Sequence, residues 1–168
     1  MAYRTRTYIA GDWTNDKNAI DQLYKWNNSE YWGLDFVDAH QFHQSSDKSL
    51  NCSIKDSLRD RMDTCKTFVL VVGNKTNTTT AGSCSNCNSY IGYCVRNNAP
   101  SDKSYIQFEC DKAARDGLKI VVLYNSTIVV KSNCPDSVRN IGKHIPMFIR
   151  VGGQLRWNYS SIKEAIND

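Results

Sequence analysis

The chain has 168 residues, of which 40% are hydrophobic, and this predicts one domain with its own core over residues 1–168. The formal net charge is only +4, and Lys and Arg are spread along the chain, so the basic patch of a nucleic-acid-binding protein is missing. No segment has the length and apolar character of a membrane span or a secretory signal. The cysteine count of 7 is odd, which fits a reducing compartment better than a disulfide framework. We therefore expect a cytoplasmic protein without nucleic-acid or membrane partners.

Four short apolar runs dominate the pattern, at residues 7–10, 34–37, 67–72 and 119–124. The last two are nearly continuous stretches of β-branched or aromatic residues, which is typical of parallel strands that are covered on both faces. A fifth candidate strand covers residues 147–151. We expect the first, third and fourth runs to lie in the centre of the sheet, because they are apolar on both alternating faces.

Segments with helical spacing lie between these runs. The clearest has Ile54, Leu58 and Met62 at four-residue steps, behind a candidate N-cap at Ser53. Three more helices are predicted, over residues 15–26, 104–115 (ending at Gly117) and 160–166. The alternation of strands and helices predicts an α/β fold with a doubly wound, mainly parallel five-stranded sheet and helices on both faces.

A polar insertion at about residues 75–102 breaks this alternation, because it is rich in Thr, Ser, Asn and Gly. It is too long for an ordinary connection in a compact domain, so we expect it to be functional or mobile. It contains Cys84, Cys87 and Cys94, and with Cys110 further on these thiols would complete a structural zinc site. Free thiols without a bound metal are favoured over this zinc site, because only one C-x-x-C pair is present.

Ligands of a doubly wound sheet bind beyond the carboxyl ends of the strands, so the candidate site residues are those that follow the apolar runs. They are Gly11, Asp12, Trp13 and Asn15 after the first run, Asp38, His40 and His43 after the second, Gly73, Asn74 and Lys75 after the third, and Asn125 and Ser126 after the fourth. Neither G-x-G-x-x-G nor G-x-x-x-x-G-K-[ST] occurs after the first strand, which argues against a Rossmann dehydrogenase and a P-loop NTPase.

Some of these candidates have a simpler structural interpretation. Asp12 and Asn15 are ordinary helix-capping residues as well as a polar rim for a nucleotide. His40 and His43 are three residues apart, which is a weak metal signal without further ligands, so loop polarity or ligand contact is favoured over a metal.

Glu109 is the acid of most interest, because it borders the buried face of the helix predicted over residues 104–115. Two interpretations stay open from the pattern. Glu109 either faces the ligand cleft or is a solvated acid that pairs with Lys112 at the i, i+3 spacing.

Several segments, in this order, resemble the TIR-like family of the bacterial Thoeris defence system. They are Met1-Ala2-Tyr3-Arg4 leading into Thr7-Tyr8-Ile9-Ala10-Gly11-Asp12, Ser57-Leu58-Arg59-Asp60-Arg61-Met62-Asp63 leading into Cys65-Lys66-Thr67-Phe68-Val69-Leu70-Val71-Val72-Gly73, and Ile106-Gln107-Phe108-Glu109-Cys110 before Gly117-Leu118-Lys119-Ile120-Val121-Val122. The resemblance covers most of the chain except the cysteine-bearing insertion, which departs from the family pattern.

The resemblance implies a flavodoxin-like fold and an enzyme that consumes NAD after phage infection. The product would be a cyclic or modified ADP-ribose that diffuses to a partner effector, with a phage-derived trigger upstream and NAD as substrate. The family pattern places the catalytic glutamate at Glu109 and a functional aromatic residue at Tyr8. A carboxylate stabilises the oxocarbenium-like state of glycosidic cleavage, so no metal or redox cofactor is required. The expected substrate contacts are Tyr8, Gly11, Asp12, Trp13, Asp38, His40 and Asn74.

Two other functions remain open from the sequence. TIR-like folds also serve as non-catalytic scaffolds that assemble through their own surfaces, in which case Glu109 would be a surface acid and a homo-oligomer the working form. Nucleoside-processing transferases share the flavodoxin-like plan and a glutamate in a similar cleft.

Overall fold

The computed structural model describes residues 6–34, 36–37, 51–87 and 102–168, and its centre is a parallel sheet. Four strands lie side by side in chain order: β1 (Arg6–Ala10), β2 (Cys65–Val72), β3 (Lys119–Tyr124) and β4 (Lys143–Pro146). All three pairings are parallel. The mixed α/β class with a parallel sheet is therefore confirmed. The expected count of five strands is not, because the described residues contribute four to this sheet.

The predicted strand at residues 34–37 falls at the outer side of β1. The Thr7 N–H donates to the Val37 carbonyl (2.9 Å), and Leu34 and Phe36 are buried. The described residues of this run are not assigned to a strand. Within the described sheet β1 is thus an edge strand, and of the three runs expected in the centre only β2 and β3 are flanked on both sides.

The predicted strand at residues 147–151 forms, but its expected place in the parallel sheet is wrong. It is β5 (Phe148–Val151), and it pairs antiparallel with β6 (Gln154–Trp157) in a separate two-stranded sheet. The connecting residues Gly152 and Gly153 have φ angles of +57° and +78°. Two successive residues with positive φ make the tight turn that matches the twist of a hairpin, and glycine adopts this conformation without strain.

Four helices flank the sheet, close to their predicted positions: α1 (Lys17–Asn27), α2 (Asn51–Met62), α3 (Tyr105–Arg115) and α4 (Tyr159–Asn167). The proposed N-cap at Ser53 is wrong, because Ser53 lies inside the first turn of α2. The start of α3 is a capping box, in which Ser104 Oγ accepts from the Gln107 N–H (3.1 Å) and Gln107 Oε1 accepts from the Ser104 N–H (2.9 Å).

The hydrophobic core has two halves, one on each face of the sheet. Side chains of a strand alternate between faces. Phe68, Leu70 and Val72 of β2 therefore pack with α2 and α3, whereas Val69 and Val71 pack with α1 and α4. The sheet is thus covered by helices on both sides.

The first part of the polar insertion packs against two helices. Asn51 of α2 donates its side-chain amide to the Ser83 carbonyl (2.9 Å), and the Tyr105 N–H at the start of α3 donates to the Ala81 carbonyl (2.8 Å). Residues 88–101 of the insertion, which include Cys94, lie outside the described part of the chain, as do Asp38, His40 and His43. None of the described helices is long and apolar enough to cross a membrane.

Candidate functional site

A cleft of about 390 Å³ opens beside the carboxyl end of β1. Its wall combines the loop after β1, one face of α2, the segment around Ala81 and the first two turns of α3. This volume is in the range of small-molecule sites, and the end of parallel strands is the usual place for one. We call it the β1 cleft.

Glu109 forms part of the wall of the β1 cleft and is held from inside the protein. Glu109 is only 4% exposed. The fully buried Tyr8 hydroxyl donates to Glu109 Oε1 at 2.8 Å, and the Tyr8 ring packs parallel to Phe68 with centroids 6.0 Å apart. Tyr8 therefore fixes the orientation of the carboxylate at the edge of the cleft.

The interpretation of Glu109 as a solvated partner of Lys112 is wrong. Lys112 is 5% exposed and its ammonium group donates to Asp63 (2.6 Å) and Asp116 (2.7 Å) instead. Burial alone would lower the pKa of Lys112, but the hydrogen bonds and charges of the two aspartates raise it above its ordinary value. Through these two bonds, Lys112 connects Asp116 at the end of α3 with Asp63, which follows α2.

The loop after β1 supplies the opposite wall. Asp12 accepts from the N–H groups of Thr14 (2.9 Å) and Asn15 (3.0 Å) and from the Asn15 side-chain amide (2.6 Å). Burial acts to raise the pKa of Asp12, but these hydrogen bonds outweigh it and lower the pKa below its ordinary value. Asp12 therefore closes the turn at Thr14 and Asn15 and borders the cleft. The prediction that Asp12 or Asn15 caps a helix is wrong, because the N-cap residue of α1 is Asp16.

Trp13 and Gly11 give this loop its shape. Trp13 is 38% exposed at the mouth of the β1 cleft and stacks on Tyr24, with ring centroids 5.8 Å apart. A Cβ atom on Gly11 would lie 3.1 Å from Ile20 Cδ1 and 3.2 Å from Val71 Cβ. The backbone can therefore pass this close to α1 and β2 only with glycine or with a shift of its neighbours.

The structure brings together Gly11, Asp12, Trp13 and Glu109 in one cleft, with Tyr8 behind Glu109. Asn74 is separate from this group, because it is exposed in the turn after β2 and does not line the cleft. Asp38 and His40 lie outside the described residues, so their expected role as substrate contacts stays a prediction.

Tyr105 is a cleft residue that the sequence pattern did not indicate. Its ring covers Gly82, where any Cβ atom would collide with it, and its hydroxyl donates to Asn51 Oδ1 at 2.9 Å. Burial raises the pKa of Tyr105 to about 12, and the nearby Cys87, Cys52 and Cys84 thiols act in the same direction. Tyr105 is therefore a neutral hydrogen-bonding aromatic at neutral pH. Gly82 was the only available signal, because glycine allows such a close approach.

A polar cluster next to the cleft consists of Asp16, Gly73 and Asn125. It gives a structural role to Gly73 and Asn125, which are candidate site residues from the sequence. The Asp16 carboxylate fills the place of the missing Gly73 side chain, and Asn125 Nδ2 donates to its Oδ1 at 3.0 Å. Within the described residues Asp16 Oδ2 has no hydrogen-bond partner. Burial raises the pKa of Asp16, the Asp12 charge adds to this, and the Asn125 hydrogen bond opposes it.

The candidate zinc ligands do not gather into a metal site in the part of the chain that the structure describes. Cys84 is buried and Cys87 half-buried around the turn Cys84–Asn86. Cys110 is fully buried, and burial together with the charge of Glu109 raises the pKa of its thiol well above the ordinary value. No three His, Cys, Asp or Glu side chains within the described ranges could hold a metal ion. Because Cys94 lies outside these ranges, the four-thiol site stays a prediction.

No curated protein shows significant similarity to the chain. Residues 7–81 match the family model for the Thoeris protein ThsB, TIR-like domain. This range includes Tyr8 and the loop after β1 and ends before α3, which carries Glu109. The match supports the resemblance that the sequence predicts, because over these residues the chain is similar to the TIR-like domain of the Thoeris protein ThsB.

Proposed function

We propose that this protein is an NAD-consuming enzyme of bacterial antiphage defence. It cleaves the bond between nicotinamide and ribose and makes a cyclic or modified ADP-ribose that activates a separate effector. In this proposal the enzyme acts in the cytoplasm, responds to a phage-derived trigger and reaches its effector through the diffusible product. The observation that carries the proposal is the buried carboxylate of Glu109 in the wall of the β1 cleft, held by the Tyr8 hydroxyl.

The geometry suits the charge changes of this reaction. In NAD the positive charge lies on the pyridinium ring, and as the C–N bond breaks the electron pair leaves with nicotinamide, so the charge moves to the ribosyl carbon. A carboxylate fixed beside that carbon stabilises the oxocarbenium-like state, and it does so more strongly in a partly desolvated wall than in water. Nicotinamide leaves as a neutral molecule without hydride transfer, so we expect no metal or redox cofactor.

The product depends on what captures the ribosyl cation. Water attacks the ribosyl carbon and loses a proton to give ADP-ribose, whereas a hydroxyl group of the same molecule attacks this carbon and loses its proton to give a cyclic product. The aromatic side chains of Trp13 and Tyr105 flank the β1 cleft and offer surfaces on which nicotinamide or adenine can stack. A cleft that holds both ends of the substrate close together favours the cyclic product.

The burial of Glu109 favours the enzyme over a scaffold. Burying a carboxylate costs free energy unless it is hydrogen-bonded, and such a group in a cleft wall is typical of functional sites. A scaffold that works through its outer surface has no need of a buried carboxylate.

The sheet also fits a flavodoxin-like fold. If residues 34–37 count as a strand beside β1, the order of the five strands becomes that of flavodoxin-like proteins.

One substrate comparison separates the three functions. Purified protein, and lysates of cells that produce it before and after phage infection, are incubated with NAD or with a deoxynucleoside and a free base. The proposal predicts nicotinamide release from NAD, with formation of ADP-ribose or of a cyclic product that is lighter than ADP-ribose by one water. Base exchange on the deoxynucleoside without nicotinamide release would instead identify a transferase. No turnover of either substrate, also after infection, would leave the scaffold and overturn the proposal.

A further inference from the structure

A second cavity, of about 670 Å³, lies between the last turn of α1, the β5–β6 hairpin and the first turn of α4. It shares no lining residue with the β1 cleft. Four aromatic side chains form its walls: Trp26, Trp32, Trp157 and Tyr159. We call this cavity the aromatic groove, and the resemblance to Thoeris proteins assigns it no role.

The aromatic walls are held by one another. Tyr159 meets Trp26 and Trp32 edge to face, with centroids 5.1 Å and 4.8 Å away, and Trp26 meets Trp157 in the same way at 5.7 Å. Rings that are fixed in this way lose little conformational freedom when a planar ligand binds. Trp32 remains 40% exposed, so part of its ring surface is accessible to such a ligand.

The charge of the groove has one sign. Lys25 and Arg156 are its charged lining residues, and both side chains are exposed, whereas no acidic residue lines the groove among those that the structure describes. Some other cations on the described surface are paired with acids, for example Lys17 with Asp21. No ion pair involves Lys25 or Arg156 in the part of the chain that the structure describes, and Arg156 has only a long 3.5 Å contact with Gln154. The groove is therefore complementary to an anion.

We propose that the aromatic groove is a second binding site and that its ligand is a nucleotide. A nucleotide matches both the aromatic walls and the cations of the groove. Its base stacks on tryptophan and tyrosine rings, and its phosphate pairs with guanidinium and ammonium groups. Gln22 and Ser160 add side-chain polar groups at the rim that can hydrogen-bond to a ribose. A neutral aromatic ligand would leave the two cations without a partner, and inorganic phosphate would leave the aromatic walls uncovered.

Binding of AMP to the full chain tests this site. Titration calorimetry and tryptophan fluorescence are measured with AMP, adenosine and ribose 5-phosphate, for wild type, Arg156→Gln and Trp32→Ala. Arg150→Gln is the matched control, because Arg150 loses the same charge on the same hairpin but does not line the groove. We expect AMP to bind more tightly than either fragment, and its affinity to fall at least tenfold in the two groove variants and by less than twofold in the control.

Other outcomes overturn the proposal. AMP binding that survives both groove variants and is lost in Trp13→Ala would place the nucleotide in the β1 cleft alone. An equal loss in Arg150→Gln would indicate unspecific charge attraction. Absence of AMP binding would overturn the nucleotide proposal, and a dimer in sedimentation that Trp32→Ala dissociates would make the groove a protein-binding surface instead. None of these measurements requires NAD cleavage, so failure here leaves the proposed function intact and the reverse also holds.

Discussion

Replacing Tyr8 with phenylalanine removes one hydroxyl and tests whether the fixed orientation of Glu109 matters. The Tyr8 ring is fully buried against Phe68, so phenylalanine keeps the packing and only the 2.8 Å hydrogen bond to Glu109 Oε1 is lost. A hydrogen bond to a charged group typically contributes about 1.5–3 kcal/mol. If the transition state needs the carboxylate in this position, kcat/KM for NAD should fall by about 10- to 100-fold.

The matched control is Tyr124→Phe, in the neighbouring core. Tyr124 is also buried, and its hydroxyl is hydrogen-bonded to His144 Nδ1 at 2.8 Å, away from the β1 cleft. Both variants should lose about 0.5–3 kcal/mol in the free energy of unfolding in urea. Only Tyr8→Phe should lose activity in the nicotinamide-release assay. Wild-type kcat/KM in Tyr8→Phe, or an equal loss in Tyr124→Phe, would refute the positioning role of Tyr8.

Three further predictions concern stability. Because burial raises the pKa of Asp16 above 3.8, the native state holds its proton more tightly than the unfolded chain, and this contribution to stability is lost as pH rises through the native pKa. The stability of Asp16→Asn relative to wild type should therefore increase from acid to neutral pH in urea unfolding, and a pH-independent difference would contradict the raised pKa. Lys112→Met should lose about 1.5–3 kcal/mol of unfolding free energy, because it breaks the bonds to Asp63 and Asp116. Its rate of nicotinamide release should stay at the wild-type value, and a lower rate would connect Lys112 to the β1 cleft. Tyr159→Phe should be neutral or stabilise by up to about 3 kcal/mol in thermal unfolding, since within the described residues the buried hydroxyl of Tyr159 has no partner. A destabilised variant would reveal one.

The elements with strong local signals could be predicted from the sequence. The apolar runs of β2 and β3 indicate buried parallel strands, and Ser104 and Gly117 mark the start and end of α3. The strand β4 was not predicted, because Lys143–Pro146 is short, half polar and ends in a proline. The pairing of β5 was predicted wrongly, although Gly152 and Gly153 carry the hairpin signal.

The site could be predicted only where topology decides it. Asp12 and Trp13 follow β1, and parallel strands place such residues at one edge of the sheet. Tyr105 joins them because the chain around Ala81 folds back onto α3, and this contact between distant segments has no local signature. The spacing of Glu109 and Lys112 misled for the same reason, since Lys112 pairs across to Asp63 beyond the end of α2.

Nicotinamide release by Glu109→Gln decides whether the Glu109 carboxylate takes part in NAD cleavage. The variant keeps the size of the side chain and a hydrogen-bond acceptor for Tyr8, but removes the charge that a ribosyl cation needs. Glu164→Gln is the control, because it makes the same change at an exposed position of α4. At matched folded concentration, we expect the rate of nicotinamide release to fall by about 100-fold or more in Glu109→Gln, as for other electrostatic groups in active sites. The rate of Glu164→Gln should equal that of wild type. Equal rates for wild type and Glu109→Gln would contradict the catalytic role of Glu109.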